Sequence, residues 1–259
     1  MNIFIAPFVN ALFGFYYLFD NLGWSVVVVT VLIRIILLPL LWPSLKSAKR
    51  MAALQPRLKK LKEQFGKDKE GLAKAQMQMY KSEGVNPLSG CLPNILQVAV
   101  LLIFFSAFNM VTLFAEGKGK IEVINQQLVP AFQINESFKF NDGFFGVSLV
   151  ATPAKIFGAG VSWALIVPLI LLLGSAVLQY FSSKLMMPSP KIDKMVVKET
   201  KDKEDDMMSA MRTQSMYMMP LMTVFIGWNF SMGMLLYWFV NSLVMLLQQI
   251  LALNVDRDK

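Results

Sequence analysis

The chain has 259 residues, 55% of them hydrophobic, with 25 Lys and Arg against 17 Asp and Glu, one cysteine and no histidine. So apolar a composition points to an all-α, polytopic membrane protein rather than a soluble domain. The missing histidine and lone cysteine exclude histidine acid–base catalysis, the usual zinc sites and an intrachain disulfide.

Residues 3–19 are apolar and aromatic, are interrupted by Pro7 and Gly14, and hold no Lys or Arg. They lack the charged n-region of a signal peptide. Their length and Phe/Tyr content suit an outer-side interfacial helix within residues 1–19, a sixth span being the alternative.

From Gly23 to Trp42 the chain reads as a membrane span, since a 20-residue helix at ~1.5 Å per residue covers the ~30 Å hydrocarbon core. At its centre lies Arg34, with no acidic residue in the run. A charge at that depth costs roughly 2.5–3.5 kcal/mol on insertion scales. Pro43 lies ~13 Å of helix away, beyond easy snorkelling. Arg34 therefore calls for a wet cavity or a polar partner inside a helical bundle.

Residues 44–86 carry eleven Lys and Arg. Met51, Leu54, Leu58, Leu61 and Phe65 fall at spacings of 3, 4, 3 and 4, a coiled-coil seam. Gly66-Lys67-Asp68 breaks it, and Leu72, Ala75, Met79 and Ser82 resume a weaker version. This predicts an antiparallel helical hairpin in water, ended by Gly84-Val85-Asn86-Pro87. Leu88-Ser89-Gly90-Cys91 has the look of a lipoprotein box but lies far inside the chain with no signal before it. The second span is expected over 92–115, with Asn94 and Gln97 near its start.

The outer segment 116–158 balances four Lys with four acids, contains Phe144-Phe145-Gly146, and reads as irregular with short amphipathic pieces. A third span covers about 159–181, with Pro168 inside and Gln179 near its end. Residues 184–212 are charged on both signs and expected to be partly disordered. Met207, Met211, Met218 and Met222 then fall near one helical face, either an adaptable surface or the packing face of a helix extension. Residues 216–253 are too long for one crossing. Asn229, Ser231 and Gly233 supply a turn, giving spans of about 214–230 and 233–253. The tail, 254–259, is short.

Lys and Arg number eleven in the hairpin, seven over 184–212, two in the tail, four in 116–158 and none at the N-terminus. The positive-inside rule then places the N-terminus outside and the C-terminus in the cytoplasm. The first 19 residues, without the Arg-rich bias of a transit peptide, fit a bacterial inner membrane better than an organelle. Thr30 and Arg34 share a face, as do Asn94 and Gln97, while Trp238, Asn241, Met245 and Gln248 follow a 3-4-3 pattern. Most lie in the cytoplasmic half, Ser106 and Asn109 being the outer exceptions. This asymmetry predicts a groove open to the cytoplasm and closed outside. Hydrogen bonding between helices accounts for Thr30 or Asn241 without a groove, but not for an unpaired arginine.

The chain resembles the YidC-type membrane protein insertases, bacterial relatives of the mitochondrial oxidase-assembly and chloroplast insertases. The resemblance covers about residues 20–115 and 160–253. It rests on Thr30-Val31-Leu32-Ile33-Arg34 with Pro39, and on Met51-Ala52-Ala53-Leu54-Gln55-Pro56. It rests further on Asn86-Pro87-Leu88-Ser89-Gly90-Cys91-Leu92-Pro93 with Gln97, and on Leu236-Tyr237-Trp238-Phe239-Val240-Asn241-Ser242 with Gln248-Gln249. It implies a five-span core around a hydrophilic groove in which Arg34 is the positive charge and Thr30, Gln97 and Trp238 are lining residues. Substrate spans would leave along a slide between the second and fourth spans. Implied partners are nascent membrane proteins and lipid, with ribosome–nascent chain complexes, targeting factors and the Sec channel. The chain departs from the family in its long outer segment and in a tail of six residues, which puts tail-based ribosome tethering in doubt. No Gly-x-x-x-x-Gly-Lys-Ser/Thr loop occurs, so insertion without nucleotide hydrolysis, with no cofactor, is expected rather than enzyme chemistry. The rival reading is a small-anion transporter with Arg34 as its site, though no inverted repeat supports it.

Overall fold

The computed structural model describes residues 2–66, 68–84, 92–160, 163–186 and 214–255. Among the described residues, four stretches of helix are long and apolar enough to cross a membrane: Leu22–Ser47, Ile95–Ala115, Trp163–Met186 and Met232–Ala252. The protein is mostly helical, and by these four stretches a multi-pass membrane protein. Helix α1 (Ile5–Phe19) is continuous. Pro7 is tolerated because it sits in the first turn, where its missing N–H has no partner within the helix. Val9, Leu12, Phe13 and Tyr16 are buried along one face, and Asp20, in a left-handed conformation, ends the helix by donating its N–H to Tyr16.

Helix α2 (Leu22–Ala53) runs 32 residues, past Pro39 and Pro43. The span therefore does not stop before residue 44, and the first part of the expected hairpin continues it. Helices α3 (Gln55–Phe65) and α4 (Lys69–Ser82) follow, α4 capped by Asp68, whose side chain accepts from the Gly71 N–H at 3.0 Å. They pack on one another: Leu54, Leu58 and Tyr80 are buried, with Met51 and Met79 against them. This small cluster is separate from the main core.

Helix α5 (Leu92–Ala115) has the expected bounds. The motif at 85–91 and the side chains of 92–94, Asn94 included, lie outside the described residues. The outer segment is more ordered than its sequence implied. It holds α6 (Ile121–Asn125), a 3-10 turn (Pro130–Phe132), an antiparallel hairpin of β1 (Gly143–Phe144) and β2 (Val147–Ser148), and α7 (Pro153–Gly158). Asparagine side chains stand in for backbone partners here. Asn10 donates to Gln127 O and accepts from Val129 N, both at 2.7 Å, and Asn125 bonds both backbone groups of Ile134. Ile124, Leu128, Phe144, Val147 and Leu149 join the main core with Phe13 of α1, Phe104, Phe108 and Val111 of α5 and the start of the last helix.

Helix α8 (Ile166–Met186), entered through a 3-10 turn at Trp163–Leu165, starts and ends later than the expected 159–181. Residues before it are taken up by α7 and by Gly160, whose φ is +113°. A π turn (Gln214–Met218) leads into α9 (Met219–Gly227), and α10 (Met232–Val255) closes the fold. Gly233 lies inside α10, not in the turn before it. A Cβ there would sit 1.9 Å from Phe108 Cζ, so the bare backbone is what admits that ring. Residues 214–227 are helical over only ~21 Å at ~1.5 Å each, so this stretch is not among the four long ones. Met218 and Met222 are exposed. Met207 and Met211, the 187–213 stretch and residues 256–259 of the tail lie outside the described residues.

Candidate functional site

Arg34 reaches its depth because α2 carries it there, and it meets polar groups from two other helices. Only 6% of the residue is exposed. Its Nε donates to Asn241 Oδ1 of α10 at 2.6 Å, and its Nη2 donates to Gln97 Oε1 of α5 at 2.5 Å. Its backbone carbonyl, one turn before Pro39, accepts from Gln248 Nε2 at 3.0 Å. Thr30, one turn earlier and 1% exposed, donates back to Val26 O at 2.6 Å.

Beside the guanidinium is a cavity of about 10 Å³, room for about one water molecule. Thr30, Arg34, Gln97, Tyr237 and Asn241 give it polar walls, and Ile33, Leu37, Leu41, Leu96 and Val100 complete it. Among the described residues no carboxylate pairs with Arg34. Its hydrogen bonds go to neutral carboxamides, so the site keeps a full positive charge.

The structure thus brings Arg34, Thr30, Gln97, Asn241 and Gln248 together. It does not bring Trp238 to the cavity: that indole packs near Phe230, centroids 6.0 Å apart. Its neighbour Tyr237 takes the place, 1% exposed and stacked on Phe104 at 4.1 Å, with its hydroxyl on the same cavity as Gln97. The signal was available, because 237, 241, 244 and 248 recur at i, i+4, i+7 and i+11, a single helical face. The outer exceptions take no part. Ser106 bonds back to Leu102 O, and Asn109 is exposed. Gln179, also noted in the sequence, accepts from Thr223 Oγ1 at 2.9 Å and joins α8 to α9.

Packing differs on the two sides of the site. Along α5 the buried residues are Phe104, Ala107, Phe108 and Val111, whereas none between 95 and 103 is buried. The Tyr237–Phe104 stack lies at the boundary, with the tight aromatic core on the side of α1 and the outer segment.

Comparison with known proteins places these features in a family. The family model described as "60Kd inner membrane protein" matches residues 14–258. Among curated relatives, a protein of Pelobacter propionicus named "Membrane protein insertase YidC" is 26% identical over 99% of this chain and 40% of the relative. The protein of that name from Streptomyces avermitilis is 30% identical over 90% of this chain and 51% of its own length. One from Coxiella burnetii is 28% identical over 88% of this chain and 31% of its length. The chain spans roughly a third to a half of the length of these relatives.

Proposed function

The chain belongs to the 60Kd inner membrane protein family, and from that premise we propose that it is a membrane protein insertase and folding helper. It passes short hydrophilic segments of new membrane proteins through a polar groove without nucleotide hydrolysis. The observation that carries this reading is a buried guanidinium at mid-span whose partners among the described residues are neutral carboxamides. A carboxylate crossing hydrocarbon alone is costly. A fixed guanidinium 4 Å from it gives back ~1 kcal/mol in water-like surroundings and ~4 kcal/mol at an effective dielectric near 20. Burial of the substrate's own span, at roughly −0.3 to −0.6 kcal/mol per central Leu or Ile, drives the rest.

In this proposal the core has five crossings, the four long stretches and 214–230, with the N-terminus outside and the C-terminus in the cytoplasm. The α3–α4 hairpin is then cytoplasmic and basic, and receives nascent chains, from ribosomes or targeting factors and beside the Sec channel. Residues 116–158 cap the outer side. The groove opens where α5 lacks buried residues, toward the cytoplasm and lipid, and substrate spans leave between the second and fourth crossings. Gln97, Asn241, Gln248 and Thr30 set the groove's polar wall with Arg34. On its sequence position alone, Asn94 is assigned to the same wall. Tyr237 takes the role that the family resemblance gives Trp238.

The test is reconstitution of the protein in liposomes with one single-span substrate carrying either an acidic or a neutral tail. Arg34→Lys should keep most insertion, and Arg34→Ala should lose it for the acidic tail far more than for the neutral one. Equal loss for both tails rules out electrostatic capture, and leakage of small anions in place of tail protection favours a transporter. Orientation is checked in intact cells on a Cys91→Ser background. A cysteine at Lys139 should react with an impermeant thiol reagent and one at Lys60 should not.

A further inference from the structure

The β-hairpin of the outer segment has an unusual tip. Phe145 and Gly146 are its two central residues and both have positive φ, 47° and 78°. Two-residue hairpin turns of that shape favour Asn-Gly or Asp-Gly, because only Gly, Asn and Asp visit the left-handed region readily. A phenylalanine there is disfavoured by the backbone, and packing compensates little, since 69% of Phe145 is exposed and its ring meets that of its neighbour Phe144 alone among the described ring contacts.

The hairpin is also locked in height against the spans. Asn21 Nδ2 donates to Gly143 O at 2.9 Å and Leu22 N to Asn141 O at 3.0 Å, at the start of α2. Gly233 N donates to Leu149 O and Met232 N to Ala151 O, each at 2.8 Å, at the start of α10. Phe144 is seated on bare Gly23, where a Cβ would lie 2.1 Å from its ring. The tip is thereby held level with the first turns of two membrane-crossing helices.

At that level two exposed tryptophans flank it. Trp24, in the first turn of α2, is half exposed and meets Phe144 edge-on at 5.6 Å, and the Phe144 and Phe145 rings are 4.6 Å apart. Trp163, 67% exposed and just ahead of α8, lies over Gly146. Aromatic residues at the ends of spans collect where hydrocarbon meets headgroups, and Phe145 stands between two of them. We infer that the Phe144–Val147 turn is a lipid anchor: Phe145, with Trp24 and Trp163, inserts into the interface of the outer leaflet and fastens the outer segment to the bilayer between the first and third crossings. The turn geometry accepts phenylalanine at an unfavourable φ because the ring's partner is lipid. This rests on the membrane crossing of the chain, not on its activity as an insertase.

The test uses the full chain in a Cys91→Ser background, reconstituted in vesicles of phosphatidylcholine and phosphatidylglycerol, with Phe145→Cys carrying an environment-sensitive fluorophore. Nitroxide lipids labelled near the headgroup should quench it about as strongly as a label at Trp24→Cys, and aqueous iodide should quench it weakly. Strong iodide quenching with no lipid quenching overturns the inference. Shielding from both quenchers also overturns it, because the tip is then covered by protein. Trp163→Cys gives the same reading from the other flank, should the tip variant fold poorly. Loss of insertion with lipid quenching intact would strike at the proposed function and leave the anchor standing.

Discussion

Replacing Asn241 by leucine tests whether the carboxamides hold Arg34 or merely lie near it. Leucine is close in size, so the change removes Oδ1 and leaves the Arg34 Nε–H facing an apolar wall, at residues 5% and 6% exposed. Hydrogen bonds to charged groups contribute about 1.5–3 kcal/mol, more so when the remaining partner stays buried. The adjacent cavity admits about one water, which can take over part of the bond and moves the expectation toward the lower end. In an Arg34→Met background the donor is already gone, so Asn241→Leu should cost little there. A double-mutant cycle, read by SDS or urea unfolding in bicelles, should therefore give a coupling of about 1.5–2 kcal/mol. That is a roughly 10- to 30-fold non-additivity in the unfolding constant. Coupling below about 0.5 kcal/mol, the ordinary scatter between independent sites, would refute the account of a held guanidinium.

Three further outcomes are expected. Replacing residues 51–82 by a flexible linker should leave the main core's thermal midpoint nearly unchanged, because the hairpin's cluster does not join that core; on the proposed function, substrate insertion should fall. Gly233→Ala forces Phe108 aside and should cost about 1–3 kcal/mol by overpacking, measured as lost stability in the same bicelle titration. On the outer side, Lys118 and Lys155 hydrogen-bond to Glu116 and hold its carboxyl down at about 2. A carboxyl whose folded pKa is depressed contributes above its unfolded value near ~4.3 and loses that contribution as pH falls toward the folded one. The difference in outer-segment stability between wild type and Glu116→Gln should be constant from neutral pH to about 5, shrink as pH falls further, and vanish only below pH 2. A difference independent of pH throughout would assign Glu116 a role other than charge.

Arg34 was legible because a lone charge in an apolar run breaks the pattern that makes the run a span, and Gln97, Asn241 and Gln248 stood out for the same reason. Less could be read where one residue type serves two structural roles. The first span was expected to end at Trp42, yet α2 continues through Pro43 to Ala53. Gly233 was assigned to a turn, but its bare backbone makes room for a ring. Trp238 drew attention by its 3-4-3 spacing and the family resemblance, while its neighbour Tyr237 lines the cavity with Asn241. The β-hairpin escaped notice because Phe-Gly stands where Asn-Gly would have announced the turn.

The choice of partners around Arg34 has a consequence of its own. A buried aspartate in place of Asn241 would make a strong fork with the guanidinium, but it would also cancel the charge, and desolvation offsets much of what such pairs gain. Amide oxygens satisfy the N–H groups while leaving the net charge intact, and each bond exchanges with water or an incoming oxygen at modest cost. Asn241 and Gln97 belong to different helices, α10 and α5, so the charge sits at a seam instead of inside one rigid element. On one side of that seam the Tyr237–Phe104 stack joins a closely packed aromatic core, and on the other α5 has no buried residue between 95 and 103. A charge that is held but not neutralised, closed behind and loosely covered in front, suits the proposed receipt and release of an acidic segment.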